Sequence, residues 1–219
     1  MRTTLGTASG LLKARSSSTP SGWRERAELI DEVSLYCDLK ERLTLVPPSA
    51  KVRGVYCRSI DAALKEAGEF ERYCQLFPNN LATLTFHSMG EFLTRLSIAG
   101  ALLKGPERVH EGMAEIGRRN AVEFARSLLG RVLLKLLSRD PRKLLLQGVA
   151  ARRQTCSCGS WQVSFPEERK AVVTMVEEYM YLESFMLGAA EGTFEAIGLT
   201  VQATCVLDNP FCGRHVLCW

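Results

Sequence analysis

Hydrophobic side chains recur at helical spacing through the first two thirds of the chain. Residues 29–39, 52–67, 70–76 and 89–103 carry apolar side chains three or four positions apart, and further runs follow between 109 and 151. This period is typical of helices that bury one face. We therefore expect the first 151 residues to be helical wherever they are ordered.

Prolines and glycines divide these helical runs. We expect Ser49, after Pro47-Pro48, to cap the helix that Gly68 ends, because serine suits the N-cap and glycine the C-terminal cap. Asp140-Pro141 carries the same start signal for a helix over Leu144–Ala151. Gly117 is expected to kink or break the helix in which it stands.

The pattern changes to alternation in the last third. Trp161, Val163 and Phe165 alternate with polar residues, and 171–176 forms a second β-branched run after the turn at 166–169, so a hairpin is predicted. A helix over Tyr181–Ile197 and a second hairpin over 199–219 follow. The order helices, hairpin, helix, hairpin predicts an α+β fold, with N-terminal helices packed on a short antiparallel sheet.

The domain boundary is predicted near Trp23. Residues 1–22 contain nine Ser or Thr, three Gly and no acid, and such a segment buries too little apolar surface to order itself. We expect a disordered tail there, with an organelle transit peptide as the alternative. Residues 23–219 are expected to form a single domain.

Charge and composition exclude several classes of function. The chain has 28 basic and 24 acidic residues, with 12 against 5 in residues 101–155 and 3 against 8 in 156–219. A nucleic-acid partner calls for a more basic chain with a reading motif, so none is expected. Apolar runs are too short for a membrane span. Eight cysteines without a signal peptide predict reduced thiols in the cytoplasm.

No motif for catalysis stands out. Phosphate-binding glycine loops and the H-E-x-x-H pattern are absent, and none of the three histidines pairs with an obvious nucleophile. His87 and His110 are interpreted as ordinary helix-surface residues. The Gly188–Gly192 pair is expected to let its helix lie close on the sheet. We predict that the protein is not an enzyme.

Cysteines are the sharpest chemical feature of the C-terminal third. Cys156 and Cys158 precede the first hairpin, while Cys205 and Cys212 bracket the second. A structural zinc site needs four ligands that meet in space, and two hairpins of one sheet can supply them. The alternative is that these thiols are buried or idle, since cysteine often behaves as a small hydrophobic residue.

Aromatic and methionine side chains along the helices and the first hairpin form a second candidate site. They can line a cavity between helices and sheet for a small hydrophobic ligand, or they can fill an ordinary core. The six residues of this candidate pocket are Met89, Phe92, Leu96, Phe124, Met175 and Phe185.

Several short segments, in order, resemble a myxobacterial paralogous family of unknown function. The resemblance runs from Leu39 to the C-terminus. Its pieces are Glu41-Arg42-Leu43, Pro47-Pro48-Ser49, Val52-Arg53-Gly54-Val55, Gly117-Arg118-Arg119, the run 127–131, the run 140–145, the run 185–192, Glu195-Ala196-Ile197-Gly198 and Trp219.

The last third also resembles the 4-vinyl-reductase domain, through 188–198, Thr204-Cys205 and the run 208–212. That resemblance implies the superfold shared by heme–nitric-oxide-binding and transport-particle (TRAPP) proteins. It implies zinc at the matching cysteines, with Glu183 near the place of an upstream cysteine and Gln202 in place of a glutamate. The heme-binding members use a Tyr-x-Ser-x-Arg motif that this chain lacks, so the resemblance argues against heme.

Two functional hypotheses follow. The first is a non-enzymatic cytoplasmic module, homodimeric as members of the superfold often are, that binds a small hydrophobic ligand or a partner protein. The second is a protein–protein adaptor with a filled core, based on the basic residues 101–155. A zinc-dependent site at the cysteine pairs is a minor third hypothesis.

Overall fold

The protein is described here from a computed structural model, covering residues 21–79, 81–126 and 140–219. The predicted tail 1–22 lies outside this range except for its last two residues, which begin the first helix. The run Val132–Leu137 lies outside it as well. The helices in the described ranges are α1 (Ser21–Cys37), α2 (Leu39–Leu45), α3 (Cys57–Ala67), α4 (Phe70–Leu76), α5 (Met89–Lys104), α6 (Val109–Arg126), α7 (Pro141–Thr155) and α8 (Leu187–Glu195).

Four C-terminal strands form one antiparallel sheet, as the alternating pattern predicts. They are β3 (Ser160–Glu167), β4 (Lys170–Val176), β5 (Gln202–Asn209) and β6 (Cys212–Cys218), in the spatial order β3-β4-β6-β5. Val173 pairs with Val163 on one side and His215 on the other, which fixes the register. The α+β prediction is confirmed, with helices covering one face of a short sheet.

A two-stranded ribbon replaces the start of the helix predicted after Ser49. Strand β1 (Lys51–Arg53) pairs with β2 (Phe86–Ser88), and a 3₁₀ turn (Gly54–Tyr56) leads into α3. The expected N-cap at Ser49 is therefore wrong, because Val52 pairs with His87 instead of joining a helical face. Gly68 ends α3 in a left-handed conformation with φ of 77°, as predicted.

Helix α6 lies at the centre of the fold, against α5, α8 and the π-helical turn Leu182–Met186. It passes Gly117 as a continuous helix, so the predicted break is wrong. A Cβ at Gly117 would lie 2.0 Å from the carbonyl oxygen of Phe185, and one at Gly188 would lie 2.0 Å from that of Ala114. These glycines allow helix backbones to touch, and Gly188 therefore packs on α6 and not on the sheet.

Helix α7 begins at the predicted cap, where Asp140 Oδ1 accepts hydrogen bonds from the backbone nitrogens of Arg142 (2.9 Å) and Lys143 (3.3 Å). It packs on β3 but buries only Leu144 and Arg152. The Arg152 guanidinium is held by Glu178, with Nε 2.8 Å and Nη2 2.7 Å from Oε2. A buried ion pair, in place of a broad apolar face, thus anchors α7 to the sheet.

Candidate functional site

A cleft of about 650 Å³ opens where the end of α1 meets α2, the start of α6 and the π-helical turn. We call it the α1–α2 cleft. It is open to solvent, and most of the residues that line it have polar or charged side chains. The lining residues are Asp31, Ser34, Leu35, Tyr36, Cys37, Asp38, Lys40, Glu41, His110 and Glu183.

The turn between α1 and α2 gives the cleft its shape. Asp38 has φ of 49°, a left-handed conformation that is uncommon outside glycine and favours Asp and Asn among the others. Its carboxylate accepts a hydrogen bond from Arg42 Nε at 2.7 Å, one helical turn later. The turn therefore fixes the Arg42 guanidinium beside Asp38, which lines the cleft.

Arg42 joins the helical layer to the second hairpin. Its side chain is almost completely buried, its Nη1 donates to the carbonyl oxygen of Pro210 at 3.0 Å, and its guanidinium stacks on the ring of Tyr181 at 4.2 Å. The ring of Phe211 lies 5.4 Å away on the β5–β6 turn. One cation thus contacts α2, the residue before the π-helical turn, and the end of the sheet.

Glu183, on the π-helical turn, is the acidic counterpart of Arg42. Its Oε1 lies 3.4 Å from Arg42 Nη2 and 3.8 Å from His110 Nδ1. Its Oε2 is enclosed and has no hydrogen-bond partner among the described residues. Single π-helical turns occur often at functional sites, and here the turn brings a carboxylate with one unused oxygen to the edge of a cleft.

His110 closes the cleft from α6. Its Nδ1 lies 3.2 Å from Ser184 Oγ, and its Nε2 lies 3.2 Å from the carbonyl oxygen of Tyr36. A carbonyl oxygen only accepts hydrogen bonds, so the neutral ring carries its proton on Nε2 and Nδ1 accepts from Ser184. His110 is therefore part of the site, not an ordinary surface residue.

Two buried hydroxyl groups lie behind Cys37, which lines the cleft. Ser97 Oγ donates to Tyr181 Oη at 3.1 Å, and Tyr181 Oη donates to Cys37 Sγ at 3.7 Å. Burial raises the pKa of Tyr181 well above its usual value and also raises that of Cys37. Both groups stay protonated at neutral pH, so they can offer and accept hydrogen bonds but carry no charge.

The six residues predicted to line a ligand cavity lie elsewhere. Met89, Phe92, Leu96, Met175 and Phe185 are at most 1% exposed and belong to the hydrophobic core, while Phe124 is 43% exposed on α6. The rings of Phe92 and Phe185 meet edge to face with centroids 5.8 Å apart. Five of the six therefore pack against the core, as in the filled-core alternative.

The residues predicted as zinc ligands are not brought together. Cys156 forms an isolated bridge with Val52 beside β1, Cys205 pairs with His215 inside the sheet, and Cys212 begins β6. Burial raises the pKa of the Cys205 thiol to about 11. Across residues 21–79, 81–126 and 140–219, no group of three or more His, Cys, Asp or Glu side chains can hold a metal ion.

Sequence reasoning missed Arg42, Tyr181 and His110. The one local signal was the Asp38–Arg42 pair, four residues apart at the start of a short helix. Glu183 was named through the resemblance as a metal ligand, and the structure places it at the cleft with Arg42 and His110.

The fold is similar to that of heme–nitric-oxide-binding (H-NOX) structures. An Fe(II) unliganded H-NOX protein from K. algicida aligns with a TM-score of 0.60 and 12% identity, covering 76% of this chain and 95% of that one. A single-residue variant of the Tt H-NOX protein aligns with a TM-score of 0.61 and 11% identity, covering 76% and 94%. At this identity the likeness shows the fold alone.

A family model described as "Protein of unknown function (DUF2378)" matches residues 46–210, so the chain belongs to the DUF2378 family. None of the curated proteins matches the sequence significantly. The family result agrees with the predicted membership of a family without a known function.

Heme binding in that fold conflicts with the sequence expectation against heme. A third similar structure, with a TM-score of 0.50 and 14% identity over 76% of this chain and 94% of that one, was determined to study heme distortion in the H-NOX family. An axial ligand is a central requirement for heme. Here His215 is buried with Nε2 2.8 Å from the carbonyl oxygen of Leu182, and burial lowers its pKa to about 4. His87 and His110 lie nearer the surface, bonded to backbone carbonyls.

Between the helices and the sheet, the described residues do not fit a heme. The interface of helices and sheet is occupied by packed side chains such as Phe92, Phe185 and Tyr181, each fully buried. Among the described residues, no helix is both long enough and apolar enough to cross a bilayer.

Proposed function

We propose that this protein is a non-enzymatic regulatory module that binds a small polar molecule in the α1–α2 cleft. The observation that carries the proposal is the buried Arg42, which contacts two residues of the cleft lining, Asp38 and Glu183, and also the β5–β6 turn. Glu183 supports it, because an enclosed carboxylate oxygen without a partner costs free energy that a ligand's N–H or O–H group can recover.

The route from ligand to response follows from these contacts. A donor bound at Glu183 Oε2 shifts this carboxylate relative to Arg42, whose Nη2 lies 3.4 Å from Oε1. Since Arg42 also holds the carbonyl oxygen of Pro210, its movement alters the end of the second hairpin. Ligand binding is thereby converted into a change at the surface of the sheet.

A ligand screen with a structural readout tests the proposal. Thermal shift against polar metabolites of up to a few hundred daltons identifies binders, and hydrogen exchange of residues 208–212 reports the hairpin. We expect Glu183→Leu to abolish the response, while Glu111→Gln, a 60%-exposed control on α6, leaves it intact. The proposal fails if Glu183→Leu responds like the wild type, or if no compound changes either signal.

Further parts of the proposal extend the family assignment. We propose that the protein is a homodimer and that it acts in the cytoplasm. We also propose that it is related to the 4-vinyl-reductase and transport-particle members of the superfold and to myxobacterial paralogues. Native mass spectrometry of the freshly purified chain, with and without a chelator, gives the subunit number and reveals any co-purified organic molecule or metal ion.

An adaptor function is the second candidate, and helix α7 favours it. This 15-residue helix buries only Leu144 and Arg152 and exposes Arg142, Lys143 and Arg153 without any acidic residue of its own. Pull-down with these three cations changed to glutamate tests it. The adaptor function is supported if the triple variant loses partners that an Arg72→Glu control on α4 retains. It is contradicted if the triple variant keeps the same partners as the wild type.

A further inference from the structure

One stretch of the chain lacks charged residues and exposes two apolar side chains to solvent. The eighteen residues Tyr73–Gly90 contain no Lys, Arg, Asp or Glu, although such residues make up 24% of the chain. Within this stretch Leu84 is 79% exposed and Phe86 is 39% exposed. Single exposed leucines are common, so the local geometry and charge decide whether this one matters.

The backbone around Leu84 is firmly held. Thr85 N donates to Ala82 O at 3.1 Å, and Gly54 N donates to Thr85 O at 3.1 Å, tying the turn to the start of the 3₁₀ segment. Arg53 Nη1 reaches Leu84 O at 3.5 Å. A Cβ at Gly54 would lie only 2.3 Å from Ala82 O, so backbone meets backbone there. The turn therefore presents Leu84 to solvent in an ordered conformation.

Two cations, Lys51 and Arg53, lie on the same face of the ribbon as Phe86. Lys51 lies opposite Ser88 and Arg53 opposite Phe86 in the β1–β2 register, and the Arg53 guanidinium stacks 4.9 Å from the Phe86 ring. Neither cation forms an ion pair with a carboxylate of the described residues. We call the surface formed by Lys51, Arg53, Leu84 and Phe86 the β1–β2 tip.

We propose that the β1–β2 tip docks the protein on an anionic lipid surface. A leucine that protrudes from an ordered turn suits insertion between lipid headgroups. None of the tip residues lines the α1–α2 cleft. Two unpaired cations beside the tip complement the negative charge of lipid phosphates, each increasing affinity about fivefold near such a surface.

Vesicle co-sedimentation of the full-length protein tests this proposal. The probes are vesicles of phosphatidylcholine alone and of phosphatidylcholine with 30% phosphatidylglycerol, at low and high salt. We expect binding to the anionic vesicles only, reduced about tenfold by Leu84→Ser and about fivefold by Lys51→Gln at low salt. High salt should abolish the Lys51 effect, because screening weakens exposed charges.

Matched controls away from the tip separate it from non-specific binding. On α7, Leu146→Ser removes an apolar side chain that is 52% exposed, and on α4, Arg72→Gln removes a cation whose side chain is 50% exposed. We expect both controls to bind like the wild type. No binding to anionic vesicles overturns the proposal, as do equal losses in tip and control variants. Capture of an octaglutamate peptide without vesicle binding overturns it in favour of an acidic protein partner.

Discussion

Removing the carboxylate of Glu178 should be the most damaging single truncation of a polar side chain in the C-terminal half. Glu178 is fully buried and accepts hydrogen bonds from Arg152 Nε (2.8 Å), Trp161 Nε1 (2.8 Å) and the backbone nitrogen of Met180 (3.1 Å). In Glu178→Ala, all three donors lose their acceptor. Arg152, only 3% exposed, is left as a buried cation without a partner.

The cost follows from the stranded charge. Breaking a buried ion pair by removing one partner destabilises a protein by about 3–5 kcal/mol. Replacing both members, as in Arg152→Met with Glu178→Gln, removes the stranded charge and keeps an amide oxygen for Trp161. We expect this double variant to lose at most about 2 kcal/mol, less than Glu178→Ala alone.

Urea unfolding at pH 7 measures both values. The control is Glu25→Ala, which breaks an exposed pair with Arg72 at 2.9 Å and should cost less than about 1 kcal/mol. Hydrogen exchange should show α7 opening first in Glu178→Ala, since Leu144 is its only other buried residue. A loss below about 1 kcal/mol in Glu178→Ala, or a double variant as unstable as the single one, would refute the reasoning.

Three other predictions concern the core, the helix contacts and pH. Burial lowers the pKa of His215 to about 4 from 6.5, so between these pH values the imidazole is protonated in the unfolded chain and neutral in the folded protein. Stability should therefore fall as pH drops from about 6.5 towards 4, by up to about 3 kcal/mol, and His215→Gln should flatten that dependence in urea titrations. Gly188→Ala should lose about 1–3 kcal/mol or more because its Cβ would lie 2.0 Å from Ala114 O, whereas Gly148→Ala, with nothing within 4 Å, should gain about 0.5–1 kcal/mol; melting curves that rank them the other way contradict the packing. Phe92→Ala should cost about 3–5 kcal/mol in the same assay, and a near-neutral result would mean that the Phe92 site is not a packed core.

Local signals predicted the elements that local chemistry specifies. Asp140-Pro141 caps and starts α7, Pro78 follows the end of α4, and Gly198 turns the chain after α8 with φ of 78°. Alternation in 161–165 gave strand β3 because one face of that strand meets the core. In each case the determining residues lie within a few positions of one another.

Long-range contacts account for what the sequence did not predict. Val52 and Val55 fit a helical period, yet β1 pairs with β2 more than thirty residues later and with Cys156 on its other side. The α1–α2 cleft gathers residues from 31–41, His110 and Glu183, which only the packing of four elements brings together. Gly117 suggested a helix break in the sequence, but in the structure it allows the backbone of α6 to approach the carbonyl oxygen of Phe185.

Two buried arginines tie the helical layer to the two hairpins, and their surroundings differ. Glu178 accepts three hydrogen bonds, although Arg152 Nη1 has no partner among the described residues, and the pair is enclosed and does not line the cleft. Glu183 Oε1 lies 3.4 Å from Arg42, and the second oxygen of this cleft-lining carboxylate has no partner among the described residues. A ligand in the cleft can therefore reach the Arg42 contact but not the enclosed Arg152 contact. The difference makes the Arg152 link a structural anchor and directs the search for regulation to the Arg42 link.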